Sequence, residues 1–216
     1  MSGTNLQSTR TFWHEYYGGQ ISGDNVLEEQ PSPFALAVRS KLTEGSTLLE
    51  IGCGNGRDSC YFAASGISVI ATDICETAVK LTAKKLPPTS VAMAADSTGL
   101  PDVDVDYAYA RFVLHALTVE EQGRMLAWMK KHVRRMIFIE TRSLNDPRCG
   151  KGKKVGTHAY VDTHYWRFMS VDELESAAAR AGFENCEIEE TDPGSGNDGA
   201  RVLRATIRVI SDELSP

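Results

Sequence analysis

The chain of 216 residues is the size of one α/β domain carrying a modest insertion. Its 42% hydrophobic and 24% charged residues are those of an ordinary soluble globular protein, and no apolar run approaches membrane-spanning length. A formal net charge of −6 argues against a general nucleic-acid binder, whose footprint is basic, while leaving room for a local basic pocket.

Residues 1–10 are polar, lack the apolar core of a signal peptide and read as disordered. Thr11 to Gly18 is rich in aromatics (Phe12, Trp13, Tyr16, Tyr17) and reads as a short helix stopped by Gly18-Gly19. A polar loop with Gly23, Asp24 and Asn25 follows. Ser32 caps a helix from about Phe34 to Leu42, with Pro33 in its first turn. Strands and helices then alternate: strand Thr47–Ile51, helix Arg57–Ser65, strand Ser68–Thr72, helix Cys75–Leu86, strand Ser90–Ala94, strand Val105–Ala110, helix Thr118–His132 and strand Arg135–Glu140. Residues 141–168 break this rhythm. They are polar, basic and aromatic, and read as an insertion or substrate loop. Ser170 with Glu173 forms a capping box on helix Val171–Ala181, which Gly182 ends. Cys186–Glu190 and Arg201–Val209 read as two strands joined by the loop 192–199.

Alternation of this kind implies a doubly wound, mostly parallel sheet with helices on both faces. No helix separates the last two strands, so they should form an antiparallel hairpin. The five cysteines (Cys53, Cys60, Cys75, Cys149, Cys186) are odd in number and make no C-x-x-C. Neither a disulfide framework nor a metal site is expected, and reduced thiols in the cytoplasm are the simplest reading.

Gly52, Gly54 and Gly56 lie between a strand and a helix, where glycines permit a tight turn and close backbone approach to a ligand at a helix N-terminus. Alone this is a weak pattern. Asp73 ends the next strand about 20 residues on, where an acid accepts from ribose hydroxyls. Asp96, beside Ala95 and Ser97, ends the third strand. Three strand ends therefore converge on one crevice.

On the runs Glu50-Ile51-Gly52-Cys53-Gly54-Asn55-Gly56, Thr72-Asp73-Ile74 and Ala95-Asp96-Ser97, the chain resembles the class I, seven-strand, Rossmann-like methyltransferases that use S-adenosylmethionine (SAM). The likeness covers residues 34–140 and, in pattern, the terminal hairpin. It implies one domain over residues 1–216, strand order 3-2-1-4-5-7-6 with strand 7 antiparallel, and SAM as cofactor with S-adenosylhomocysteine as product. It also implies roles. The Gly52–Gly56 backbone, with Cys53, would lie near the methionine and ribose. Glu50 would orient the loop from beneath, Asp73 and Ile74 would meet the ribose, and Asp96 with Ala95 and Ser97 would meet the adenine. Asp58 either faces the SAM amino group or caps its helix. Arg111 and Phe112 follow the fourth strand, and Phe112 either packs on the cofactor or belongs to the core. A nicotinamide enzyme is the natural rival, but its loop is G-x-G-x-x-G and this one is G-C-G-N-G.

His115 sits where methyl donor and acceptor meet in that family. It is either a base for a hydroxyl or amine, or a group that hydrogen-bonds and shapes the pocket. The segment 1–33 resembles a lid, with Tyr16 and Tyr17 either closing over cofactor and substrate or simply burying aromatic surface. The segment 141–168 carries Arg142, Arg148, Lys151, His158, His164, Trp166 and Arg167 and only two acids, Asp146 and Asp162. It is either a solvated basic loop or a site for an anionic acceptor. Arg142-Ser143, Asp146 and Gly150-Lys151-Gly152, with His164-Tyr165-Trp166-Arg167-Phe168, resemble small bacterial methyltransferases of surface-polysaccharide or secondary-metabolite pathways. That likeness would put Arg142, Lys151, His164 and Arg167 near the acceptor. The expected partner is thus a small or glycan-linked anionic acceptor, methylated on oxygen, with the chain a monomer or homodimer. N-methylation, RNA methylation through Tyr165 and Trp166, a non-catalytic SAM-binding module and an NAD-dependent oxidoreductase are the alternatives.

Overall fold

A computed structural model describes residues 11–19, 29–97, 99–192 and 199–209. The polar stretches 1–10 and 23–25 and most of the 192–199 loop lie outside the described residues. Helix α1 spans residues 11–19. Helix α2 (Pro33–Arg39) starts where expected: the Ser32 hydroxyl accepts from Ala35 N at 3.0 Å, and Pro33 fills a position that needs no N–H. The αβ alternation follows as β1 (Thr47–Ile51), α3 (Arg57–Ala64), β2 (Ser68–Asp73), α4 (Glu76–Ala83), β3 (Val91–Ala94), β4 (Val105–Arg111), α5 (Val119–His132) and β5 (Val133–Arg142). Helix α5 carries a Thr118–Glu121 capping box.

The segment expected as an open loop contains a small sheet. Strand β5 runs on to Arg142, and β6 (Lys153–Gly156), β7 (Ala159–Val161) and β8 (Tyr165–Arg167) pair antiparallel in the order β6-β7-β8. Helix α6 (Val171–Arg180), with the expected Ser170–Glu173 capping box, leads to β9 (Cys186–Thr191) and β10 (Val202–Arg208).

The main sheet has the order β3-β2-β1-β4-β5-β10-β9. Setting the small sheet aside, this is the expected 3-2-1-4-5-7-6. The last strand, β10, runs antiparallel to both β5 and β9. Strand residues alternate cleanly between two cores. Leu48, Tyr107, Tyr109 and Phe138 face α2 and α3, while Leu49, Ile51, Ala108, Ala110, Ile137 and Ile139 face α5 and α6. Both faces are covered, so the strand ends are the places left for chemistry, at the carboxyl edge where loops leave the sheet. Among the described residues no helix is long and apolar enough to cross a membrane.

Candidate active site

The loop after β1 is pinned from beneath. The amides of Gly52 and Cys53 both donate to the Thr72 carbonyl, at 2.8 and 2.9 Å. Gly54 (φ +55°) and Gly56 (φ +80°) occupy left-handed conformations. A methyl group on Gly56 would stand 2.7–3.0 Å from the Thr82 side chain, and one on Gly54 would strike the Tyr17 hydroxyl. Asp73 holds the loop from the side, accepting from Gly54 N and Cys75 N at 2.9 Å each. Burial pushes its carboxyl up, against the pull of those two amides. Glu50 is buried under the loop and accepts from Ser59 Oγ in the first turn of α3. Burial, then Asp58, raises the Glu50 carboxyl well above the usual range.

Asp58 follows neither expected course. Its carboxylate accepts from Ser32 N (2.7 Å), Ser32 Oγ (2.8 Å) and Tyr109 OH (2.8 Å). It ties the start of α2 to β4, and the cap position of α3 is Gly56. At the end of β3, Ala95 N donates to the Asp73 carbonyl at 3.0 Å, and the buried Ser97 hydroxyl has no hydrogen-bond partner among the described residues. Ile74 lies half-buried beside them.

Helix α1 crosses the ends of β1 and β2. Tyr17 turns inward onto Gly54, where burial and the Asp73 charge raise its phenol well above the ordinary value. Tyr16 turns outward at 46% exposure. His14 Nδ1 lies 3.5 Å from Cys75 Sγ.

A second group of side chains gathers at the ends of β4, β5 and β8. Arg111 donates to Glu140 Oε1 at 2.9 Å and lies 4.4 Å over the Phe112 ring. Phe112 has φ +55°, which costs a non-glycine residue about 1 kcal/mol and turns the chain sharply into the short helical turn Leu114–Ala116. There His115 is buried, stacked 5.1 Å from Trp166 and edge-on 5.6 Å from Phe112. Burial, then Arg142, His164 and Arg111, lowers its pKa well below 6.5, so the ring is neutral. The Arg142 guanidinium lies 5.2 Å over Phe112 and 5.1 Å over Trp166, and Asp146 takes its Nη1 at 2.6 Å. Arg148 lies 5.5 Å over Trp166. His164 is sandwiched between Phe12 (4.1 Å) and Trp166 (4.2 Å), and burial lowers its pKa to about 4.

The structure thus gathers Arg111, Phe112, His115, Arg142, Arg148, His164 and Trp166. It does not gather four others. Arg167 points the opposite way from Trp166 on β8 and bonds Gln122 and Glu173, at 3.1 Å each. His158 also meets Glu173, at 3.1 Å. Lys151 and Tyr16 are exposed. Missed from sequence were Phe12, which caps His164 from the lid helix, and Asp162, which accepts from Trp166 Nε1 at 2.8 Å and sets the indole's angle. The aromatic run around Phe12 was the available signal. Asp162 gave none, because its role exists only once β7 and β8 pair. Among the described residues no cluster of three or more His, Cys, Asp or Glu side chains is placed to hold a metal.

Residues 49–136 match the model of a methyltransferase-domain family. No curated protein matches the chain. Similar solved structures include a 1,6-didemethyltoxoflavin N1-methyltransferase from Burkholderia thailandensis (19% identity, 95% of this chain and 88% of that one, TM-score 0.72). A magnesium protoporphyrin IX methyltransferase from Synechocystis with bound S-adenosylhomocysteine aligns at 16% identity over 93% and 99%, TM-score 0.67. A SAM-dependent methyltransferase from Mesorhizobium loti aligns at 17% over 80% and 96%, TM-score 0.67. At these identities the likeness is one of fold. The glycine cradle, Asp73 and the unpartnered Ser97 hydroxyl fit the backbone, ribose and adenine contacts of SAM. Residues 49–136 thus match a methyltransferase domain, and the chain shares the fold of SAM-dependent methyltransferases.

Proposed function

We propose that the protein transfers the SAM methyl group to an oxygen of a small-molecule or glycan-linked acceptor bearing negative charge. Bound SAM supplies an electrophilic methyl on a sulfonium. The chain's part is to hold, orient and dehydrate. The Gly52–Gly56 backbone, Asp73 and Ser97 are suited to hold the cofactor, and Tyr17 on α1 to shut water from the loop. The acceptor side falls to the aromatic and cationic group around Trp166, where methyl transfer needs placement above all.

One observation carries this reading: the Arg142 guanidinium is buried between Phe112 and Trp166, and while Asp146 takes its Nη1, its Nε has no hydrogen-bond partner among the described residues. A buried cation of this kind recruits an anion. The five thiols, all unpaired, support the cytoplasm as its compartment.

The test is a panel of anionic and neutral hydroxy, carboxy, phospho and amino compounds incubated with methyl-labelled SAM. We expect S-adenosylhomocysteine to form with anionic members and the label to sit on oxygen. Arg142→Gln should raise KM at least about tenfold and leave cofactor affinity unchanged. Label on nitrogen, or turnover of neutral members alone, would overturn the reading.

A further inference from the structure

Three buried polar atoms around Trp166 have no hydrogen-bond partner among the described residues: His115 Nδ1, His164 Nε2 and Arg142 Nε. His115 stacks on the indole at 5.1 Å, His164 packs tilted against it at 4.2 Å, and the guanidinium lies 5.1 Å from it, so all three belong to one pocket. Folded proteins pair more than about 90% of their buried polar groups, and each unpaired one costs about 1–3 kcal/mol. Three in one place mark a site built for a partner rather than for stability.

The chemistry of the three defines that partner. A guanidinium Nε–H only donates. A neutral imidazole has one N–H to give. The charges bearing on His115 are Arg142 from β5, Arg111 from β4 and any charge on His164 from the β7–β8 turn. His164 feels Asp162, Arg148 and Arg142. The nearby acids are committed elsewhere: Glu140 to Arg111 and Arg204, Asp146 to Arg142 Nη1 and the Arg148 amide, Asp162 to Trp166. The pocket therefore presents one fixed donor, Arg142 Nε–H, and two imidazole nitrogens that donate in the tautomer carrying the proton there, and these imidazoles are poor proton acceptors at neutral pH.

We propose that the oxygen to be methylated is itself the anion: a carboxylate or phosphate-ester oxygen enters beside Trp166, accepts hydrogen bonds from Arg142 Nε and the imidazoles of His115 and His164, and is methylated without a protein base. The bond formed joins that oxygen to the methyl carbon. The bond broken is sulfur to methyl, whose electron pair stays on sulfur and turns the sulfonium into a thioether. The acceptor loses one negative charge and no proton moves. His115 and His164 are positioning donors in this scheme.

The inference rests on the anionic-acceptor reading above and narrows it to the reacting atom. Its test is calorimetry on the full chain saturated with S-adenosylhomocysteine, using benzoate and phenyl phosphate as oxyanion probes and benzamide and benzyl alcohol as neutral isosteres. Buffers of different ionisation enthalpy count the protons exchanged. We expect one or both oxyanions to bind at least about tenfold more tightly than their isosteres, with no proton taken up. Whichever oxyanion wins tells carboxylate from phosphate. Arg142→Gln should abolish the preference with cofactor affinity intact. His115→Phe should weaken oxyanion binding at least about tenfold, and His115→Gln, which keeps an N–H but cannot titrate, should recover part of that loss. Equal binding of neutral isosteres, proton uptake on binding, or oxyanion binding no better in His115→Gln than in His115→Phe with cofactor binding intact would overturn the inference. Failure of the wild-type chain to bind S-adenosylhomocysteine would instead remove the cofactor assignment, and the inference with it.

Discussion

Replacing Glu140 with Gln strikes an anion shared by two arginines at the carboxyl edge of the sheet. Glu140 is fully buried at the end of β5, level with Arg111 on β4 and Arg204 on β10. Arg111 Nε donates to its Oε1 at 2.9 Å and Arg204 Nε to its Oε2 at 2.8 Å. The two arginine side chains are only 14% and 16% exposed. Gln keeps the shape, removes the charge and turns an amide N–H toward one of two guanidinium donors. Breaking a buried pair costs about 3–5 kcal/mol because a charge is left uncompensated. Here two guanidiniums lose the one carboxylate they share, but each keeps some contact with water, which favours the lower end, about 3 kcal/mol. Against a total stability of about 5–15 kcal/mol that is a large loss. Urea unfolding followed by circular dichroism should show the midpoint falling by roughly 1 M or more at unchanged slope. Adding Arg204→Met should return part of the loss, because one unpaired cation goes with it. A midpoint shift worth less than about 1 kcal/mol in the single variant, or no recovery in the double, would refute the claim that Glu140 pairs with both arginines.

Three further outcomes follow from the same geometry. Asp58→Ala removes three hydrogen bonds that join α2 to β4 and should cost about 3 kcal/mol by thermal unfolding, yet leave S-adenosylhomocysteine affinity nearly unchanged. A large affinity loss without destabilisation would return Asp58 to the cofactor. Gly54→Ala should destabilise the protein by about 1–2 kcal/mol, and Tyr17→Phe added to it should recover part by removing the hydroxyl that the new methyl strikes; no recovery would mean α1 does not rest on the loop. His164 titrates at about 4 in the folded chain against 6.5 in an unfolded one, so the unfolded state binds the proton first. The resulting stability is complete above pH 6.5 and is lost as pH falls toward 4, by about 3 kcal/mol. The wild type should therefore lose more stability over that window than His164→Phe, and equal losses would contradict the neutral buried imidazole.

The loop and strand ends proposed to hold the cofactor are legible because their signals are local. The glycines mark a turn with left-handed residues, Asp73 and Ser97 sit at strand ends, and each lies within a few residues of the element that presents it. The sheet order followed from alternation and from the missing helix between β9 and β10. The acceptor half was only partly legible. Arg142, His164 and Trp166 were chosen for their chemistry, but so were Arg167, Lys151 and His158, and only strand pairing separates them. Strands β6, β7 and β8 are three or four residues long, and β6 is exposed on every residue and made of two lysines, a valine and a glycine, so no period of two shows. Without β8, nothing in the sequence says that Trp166 faces His115 while Arg167 turns away to Gln122. Asp58 fails to announce itself for a related reason. Its partners Ser32 and Tyr109 are 26 and 51 residues away, while its place in a first helical turn suggests a local role.

The most direct measurement of the account is the charge of the methylated product. An acceptor identified from the panel is run before and after reaction on anion exchange, with the methyl position fixed by NMR. Methylation of the bound oxyanion predicts a product with one negative charge fewer and the label on the formerly charged oxygen. A product that gains the methyl group and keeps its full charge would contradict it.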